Sequence, residues 1–170
     1  MKRTIQAINK LKEKGIIKDY AIGGAVASFF YLEATLTEDL DVFINIESQE
    51  GGIITLSSLF KNLAEEGYKE FKKEGLLIDG WPVQFLPATT SLEKEALEKA
   101  RIEAIEGQTV KVFSAEYLMA ICVNVGRPKD KIRLEQFIKE KCYEEAAFVD
   151  IISRHKLTVK YEKIKKLIET

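Results

Sequence analysis

The segment Thr37-Glu38-Asp39-Leu40-Asp41-Val42-Phe43-Ile44 constrains this chain more than any other. Its second half is dense in β-branched and aromatic residues, so 40–46 reads as a core strand. Side chains alternate across a strand with a period of two. Asp39 and Asp41 therefore share a face, and Glu38 points the other way as a surface residue. Two carboxylates a few ångström apart repel one another unless a cation stands between them. An oxygen-only pair suits a hard cation, and Mg²⁺ (or Mn²⁺) held by one or two carboxylates plus substrate phosphates is the common arrangement. A blander reading stands beside this one, with Asp39 capping the strand entry and Asp41 solvated.

Upstream, Tyr20-Ala21-Ile22 is a brief apolar strand that runs into Gly23-Gly24. The small and aromatic residues from Ala25 to Ala34 then read as a buried helix, with Ser28 a core residue or one bonded back to its own helix rather than a ligand. The double glycine is either an ordinary turn or a bend whose backbone N–H groups can approach a phosphate. Thr37 either caps the loop or touches that phosphate. Bend and acids together suggest nucleophilic displacement at a nucleotide phosphate.

Elsewhere the pattern alternates between the two periods. Helices are expected over 4–14, where Ile5, Ile8 and Leu11 share a face, and over 53–66. A hairpin is expected from Leu76-Leu77-Ile78 and Trp81 to Leu86 around the Asp79-Gly80 turn, with Pro82 facing outward or on an edge. Residues 91–106 read as a charged helix and 109–113 as a strand. Ser114 opens an apolar helix that runs to Val125 and is broken by Gly126-Arg127-Pro128. Beyond it lie a long helical pattern over 129–154 and another over 158–168. Two readings stand for Arg127 and Lys129, as solvated neighbours of a helix start or as contacts to a substrate phosphate. His155 reads as a surface residue at a helix end. The expected fold is α+β, a small mixed sheet flanked by helices, with an α/β core over 1–113 and a helical subdomain over 114–170 packed on it.

Composition narrows the classes further. Of 170 residues, 46% are hydrophobic and 31% charged, which supports a packed core and excludes disorder. With 26 Lys and Arg against 27 Asp and Glu, the net charge of −1 gives no global attraction to nucleic acid. A single histidine excludes a His-rich zinc site, and Cys122 and Cys142 read as small buried hydrophobes. No run approaches a membrane span and the N-terminus reads as a helix rather than a signal peptide, so a cytoplasmic protein without a membrane partner is expected.

The order apolar-Gly-Gly, helix, Thr-x-Asp-Leu-Asp on an apolar strand resembles the DNA polymerase β-type nucleotidyltransferase superfamily. It is most similar to the small prokaryotic members, the minimal nucleotidyltransferases and the AbiEii-type toxins. Ile22-Gly23-Gly24 matches the first motif, and Thr37, Asp39, Leu40, Asp41 and Phe43 match the second. Gly126-Arg127-Pro128-Lys129-Asp130 is similar to an Arg/Lys-Asp segment of many small members. The resemblance implies transfer of a nucleoside monophosphate from an NTP, with ATP preferred, to an acceptor that the sequence leaves open among RNA, protein and small molecules. It implies Asp39 and Asp41 as metal ligands and Gly23, Gly24, Thr37 and Lys129 around the nucleotide. It also implies a toxin-like role with an antitoxin-like protein partner. One position departs from the pattern. The family's third carboxylate falls at Val83-Gln84-Phe85, so Gln84 stands in the third catalytic place. An amide can ligate a cation but cannot act as a base. The alternative reading is therefore a catalytically weak or inactive nucleotide-binding regulatory component of the same fold, with Glu74 or Asp79 supplying the acid only if the register differs.

Overall fold

The computed structural model describes residues 1–33, 37–45 and 56–168. It opens with α1 (Lys2–Glu13), which buries Ile5, Ile8 and Leu11 on one face as their spacing dictates. The buried Thr4 hydroxyl donates to the Ile78 carbonyl at 3.1 Å, tying this helix to the sheet. Then come β1 (Tyr20–Ile22), α2 (Gly24–Ser28), β2 (Leu40–Ile44) and α3 (Leu56–Glu65). The expected starts and ends at 34, 46 and 53–55 lie outside the described residues. The helix after the double glycine is shorter than its composition suggests. From Phe29 to Tyr31 the backbone N–H groups reach back three residues instead of four, and the Ser28 hydroxyl bonds the Gly24 carbonyl at 2.9 Å. This tightening ends the helix.

Next are β3 (Phe71–Lys72), β4 (Gly75–Ile78) and β5 (Trp81–Pro87). Asp79 and Gly80 both have positive φ, +47° and +89°, the geometry of a tight two-residue hairpin. Pro82 corrects an expectation, being buried on an interior strand between β4 and β2. It is tolerated because the ladder to β2 begins one residue later, at Val83 opposite Leu40.

The stretch expected as one helix over 91–106 is α4 (Ser91–Glu98) followed by β6 (Arg101–Ile105). Thr90 and Glu93 form a capping box at the helix start. β6 is a solvated edge strand carrying Arg101 and Glu103, and its charges obscure the alternation. It returns through Glu106-Gly107 as β7 (Gln108–Val112).

The remaining elements are α5 (Ala115–Val125), α6 (Pro128–Glu140), α7 (Glu145–Arg154) and α8 (Thr158–Ile168). Two helices thus replace the single one expected over 129–154. Lys141 adopts a left-handed conformation, and the Glu144 N–H donates to the buried Glu116 carboxylate at 2.9 Å. Burial would raise the Glu116 pKa, but the Glu144 amide and the Ser114 hydroxyl outweigh it and hold the pKa below the usual carboxylate value.

The sheet order is β3-β4-β5-β2-β1-β7-β6, with β2 parallel to β5, β1 parallel to β7 and the other pairs antiparallel. The apolar α5 packs against α2, α4, α6, α7 and α8, and one hydrophobic cluster runs through sheet and helices. His155, expected on the surface, is only 10% exposed, with its Nε2 2.6 Å from Glu95. Among the described residues no helix is long and apolar enough to cross a membrane.

Candidate active site

The centre of the sheet brings three pieces of chain to one point. β2 begins at Leu40, whose side chain is fully buried, so its neighbours Asp39 and Asp41 lie on the other face. In the parallel ladder Asp41 stands opposite Gln84 of β5. The Gln84 amide donates to Asp39 Oδ2 at 2.9 Å, so both acids and the amide form one cluster.

The double glycine meets the same cluster. The Gly23 N–H donates to the Asp41 carbonyl at 3.0 Å, which fastens the bend to the strand. Gly24 has φ +58°, and a Cβ there would lie 1.8 Å from Asp41 Oδ2. A Cβ on Gly23 would come within 2.6 Å of the Phe43 ring. Neither position admits a side chain, so the need for Gly-Gly is steric, and Asp41 lies directly against the bend. The Thr37 hydroxyl donates to the Asp39 carbonyl at 3.0 Å and lies 3.4 Å from its carboxylate. Thr37 thus fixes the approach of Asp39 to the strand.

The α6 wall is basic. Asp41 borders a cavity of about 360 Å³ that also includes Gly24, Gln84, Ile121 of α5, and Lys129 and Arg133 of α6. Burial raises the Asp41 pKa and the neighbouring Asp39 charge raises it further, while Lys129, Arg133 and Arg127 pull it down. Arg127 is engaged by Asp130, whose Oδ2 accepts from its backbone N–H at 3.0 Å and its Nε at 2.8 Å. Arg133 was not among the expected site residues, although it lies one helical turn beyond Lys129 and so shares its face.

The two acids considered as substitutes for a third carboxylate part company. Asp79 accepts from the Tyr68 hydroxyl at 2.9 Å at the hairpin tip and does not line the cavity. Glu74 lines it, but from an exposed turn. Among the described residues no group of three or more His, Cys, Asp and Glu side chains is placed to hold a metal. A hard cation would therefore rest on Asp39 and Asp41, with other oxygens supplied by substrate. The donor chemistry is compatible with such an ion, since both acids offer oxygen alone.

No family model matches this chain, and no curated protein matches it. Solved structures do. An antigenic nucleotidyltransferase-like protein from Paracoccidioides brasiliensis is similar over 98% of this chain and 90% of its own, with a TM-score of 0.57 and 16% identity. The antibiotic-resistance factor ANT(2'')-Ia is similar over 96% of this chain and 94% of its own, with a TM-score of 0.55 and 17% identity. Both likenesses span nearly the whole chain, and the mixed sheet with its acid pair at the centre is therefore a nucleotidyltransferase fold.

Proposed function

We propose that this protein is a Mg²⁺-dependent nucleotidyltransferase that moves a nucleoside monophosphate from an NTP, ATP by preference, to an acceptor. The observation that carries this is the contact of Asp41 with Gly24 beside a Gln84-bound Asp39, on a fold shared with nucleotidyltransferase-like proteins. In this reading Asp39 and Asp41 hold the cation, which supplies charge neutralisation on the transferring phosphoryl group. Lys129 and Arg133 draw the triphosphate to the α6 wall, and the Gly23-Gly24 bend lets it approach the backbone closely. Thr37 acts through Asp39 by fixing where that carboxylate sits. The Thr-x-Asp-Leu-Asp and double-glycine pattern supports the AbiEii-type branch, for which an antitoxin-like protein is the expected partner and the cytoplasm the expected location.

The test is transfer of label from α-labelled NTP in the presence of Mg²⁺. Asp39→Asn should abolish labelling while the melting temperature stays within a few degrees of wild type. Wild-type protein that gains no thermal stability from ATP with Mg²⁺ would refute the reading, because a ligand bound at a hundred times its Kd stabilises by about 2.7 kcal/mol.

A further inference from the structure

The position of Gln84 bears on what can attack the nucleotide. A hydroxyl acceptor must lose a proton as it attacks, and a carboxylate at the third place would take it. Gln84 cannot. Its amide instead carries two N–H groups, one donated to Asp39 Oδ2 at 2.9 Å and one left for another acceptor oxygen. A carboxylate there would repel an anion, whereas this amide offers it a hydrogen bond.

A second cavity bordered by Gln84 agrees. A small recess of about 40 Å³ is lined by Glu38, Asp39, Lys72, Lys73, Pro82 and Gln84. Lys73 is paired with Glu38 and also feels the charge of Asp39. The two lysines of the recess face two carboxylates, Glu38 and Asp39. Among the described residues Lys72 enters no ion pair, so once Asp39 is committed to a cation, as the nucleotidyl-transfer reading has it, Lys72 is the charge left over beside the free amide N–H. The two cationic groups of the site thus line two separate cavities that share Gln84: Lys129 and Arg133 of α6 with Asp41, and Lys72 and Lys73 at the end of β3 with Asp39.

We propose that the acceptor of this site is an oxygen already ionised at neutral pH, that of a phosphate monoester or a carboxylate, seated in the Lys72–Lys73–Gln84 recess. The proposal rests on the nucleotidyl-transfer reading and names its acceptor class. The balance is simple. The acceptor oxygen forms a bond to the α-phosphorus, the bridge from that phosphorus to the β-phosphate oxygen breaks, and pyrophosphate leaves with the electron pair. No proton leaves the nucleophile, so no base is required, and the missing acid at 84 costs nothing in this chemistry.

The experiment uses the full chain with α-labelled ATP and Mg²⁺, offering methyl phosphate, acetate or glycerol as acceptor. Labelled product is expected from methyl phosphate or acetate, the two arms deciding between the phosphate and carboxylate sources, with glycerol unreacted. Lys72→Ala should raise the KM for the anionic acceptor about tenfold or more, the loss expected for a contact to a charged group. The KM for ATP should stay unchanged, a split that a merely structural lysine would not produce. Gln84→Glu should lose the anionic acceptor and gain glycerol by roughly 10²-fold. Binding is read separately by phosphorus NMR, where methyl phosphate lines should broaden with wild type, a non-hydrolysable ATP analogue and Mg²⁺, and sharpen with Lys72→Glu. Equal use of glycerol and methyl phosphate overturns the proposal, as does ATP binding with no transfer to any of the three. Absence of ATP binding overturns the nucleotidyl-transfer reading itself.

Discussion

Asp41 and Glu95 are both carboxylates set among packed elements, and the fold treats them in opposite ways. Glu95 Oε1 accepts from the Tyr117 hydroxyl at 2.7 Å and faces the Arg154 guanidinium at 2.7 Å. Its Oε2 accepts from Arg154 at 2.9 Å and lies 2.6 Å from His155. The Arg154 hydrogen bond, with help from Tyr117 and His155, holds its pKa at about 2. Around Asp41 the balance runs the other way. Burial and the Asp39 charge raise its pKa, and among the described residues no side chain donates to its carboxylate. Where charge is fully answered, the residue fastens α4 to α5 and α7. Where it is answered only at a distance, by Lys129, Arg133 and Arg127, and stands beside a second acid, the position is one that the proposed cation would suit.

The most severe way to break this contrast is Asp41→Asn. Transfer should fall by roughly 10³-fold, since a metal-stabilised phosphoryl group is worth several kcal/mol in the transition state. Stability should move the other way. A carboxyl whose folded pKa is raised contributes most when protonated, and that contribution is lost as pH rises through the folded pKa. The amide removes the penalty, so the variant should melt higher than wild type at pH 7, and the difference should vanish below the unfolded carboxyl pKa of about 3.9. Parallel melting curves across pH check this. A variant less stable than wild type at pH 7 would mean that the Asp41 charge is already compensated.

Glu95→Ala tests the other side and should act on stability alone. Three partners lose their acceptor, and about 1–3 kcal/mol is expected for leaving such groups unpaired. The sign with pH is reversed. Glu95 is depressed in the folded state, so its contribution is present above the unfolded carboxyl pKa of about 4.3 and is lost as pH falls toward its folded value of about 2. Chemical denaturation of wild type and variant at pH 7 and pH 3 should show the gap narrowing at the acid end, with nucleotide binding intact at pH 7.

The contrast also explains how much of this architecture could be read in advance. β2, the bend and the β4–β5 hairpin were legible because their signals are local: alternation, Gly-Gly, Asp-Gly. That Gln84 belongs with the acid pair was implied by the family resemblance rather than by any local signal, and the ladder sets it opposite Asp41. What failed was set by tertiary contacts. β6 is polar because it has only one neighbour, so its charges look helical. The break between α6 and α7 depends on Glu144 meeting Glu116, 28 positions away. Pro82 is buried in the interior because of where one ladder starts. His155 left no mark of its pairing with Glu95, since 60 positions separate them. Arg133 was a different kind of omission, recoverable from its four-residue spacing to Lys129 once α6 is placed.

Thr37 supplies the smallest and sharpest test, because it touches Asp39 of the acid pair without being an acid. Its hydroxyl donates to the Asp39 carbonyl at 3.0 Å, outside the cavity wall. Thr37→Val keeps the shape and β-branching and removes only that donor. A half-buried hydrogen bond of this kind contributes about 1 kcal/mol. If Thr37 positions Asp39, transfer should drop by roughly 5- to 10-fold, with the apparent Mn²⁺ affinity falling in step and the KM for ATP little changed. Thr37→Ser should restore both. If Thr37 instead contacts the nucleotide phosphates, the KM for ATP should rise while Mn²⁺ affinity measured without nucleotide is untouched. The two outcomes separate a residue that holds an acid in place from one that holds substrate, which is the same division that sets Glu95 apart from Asp41.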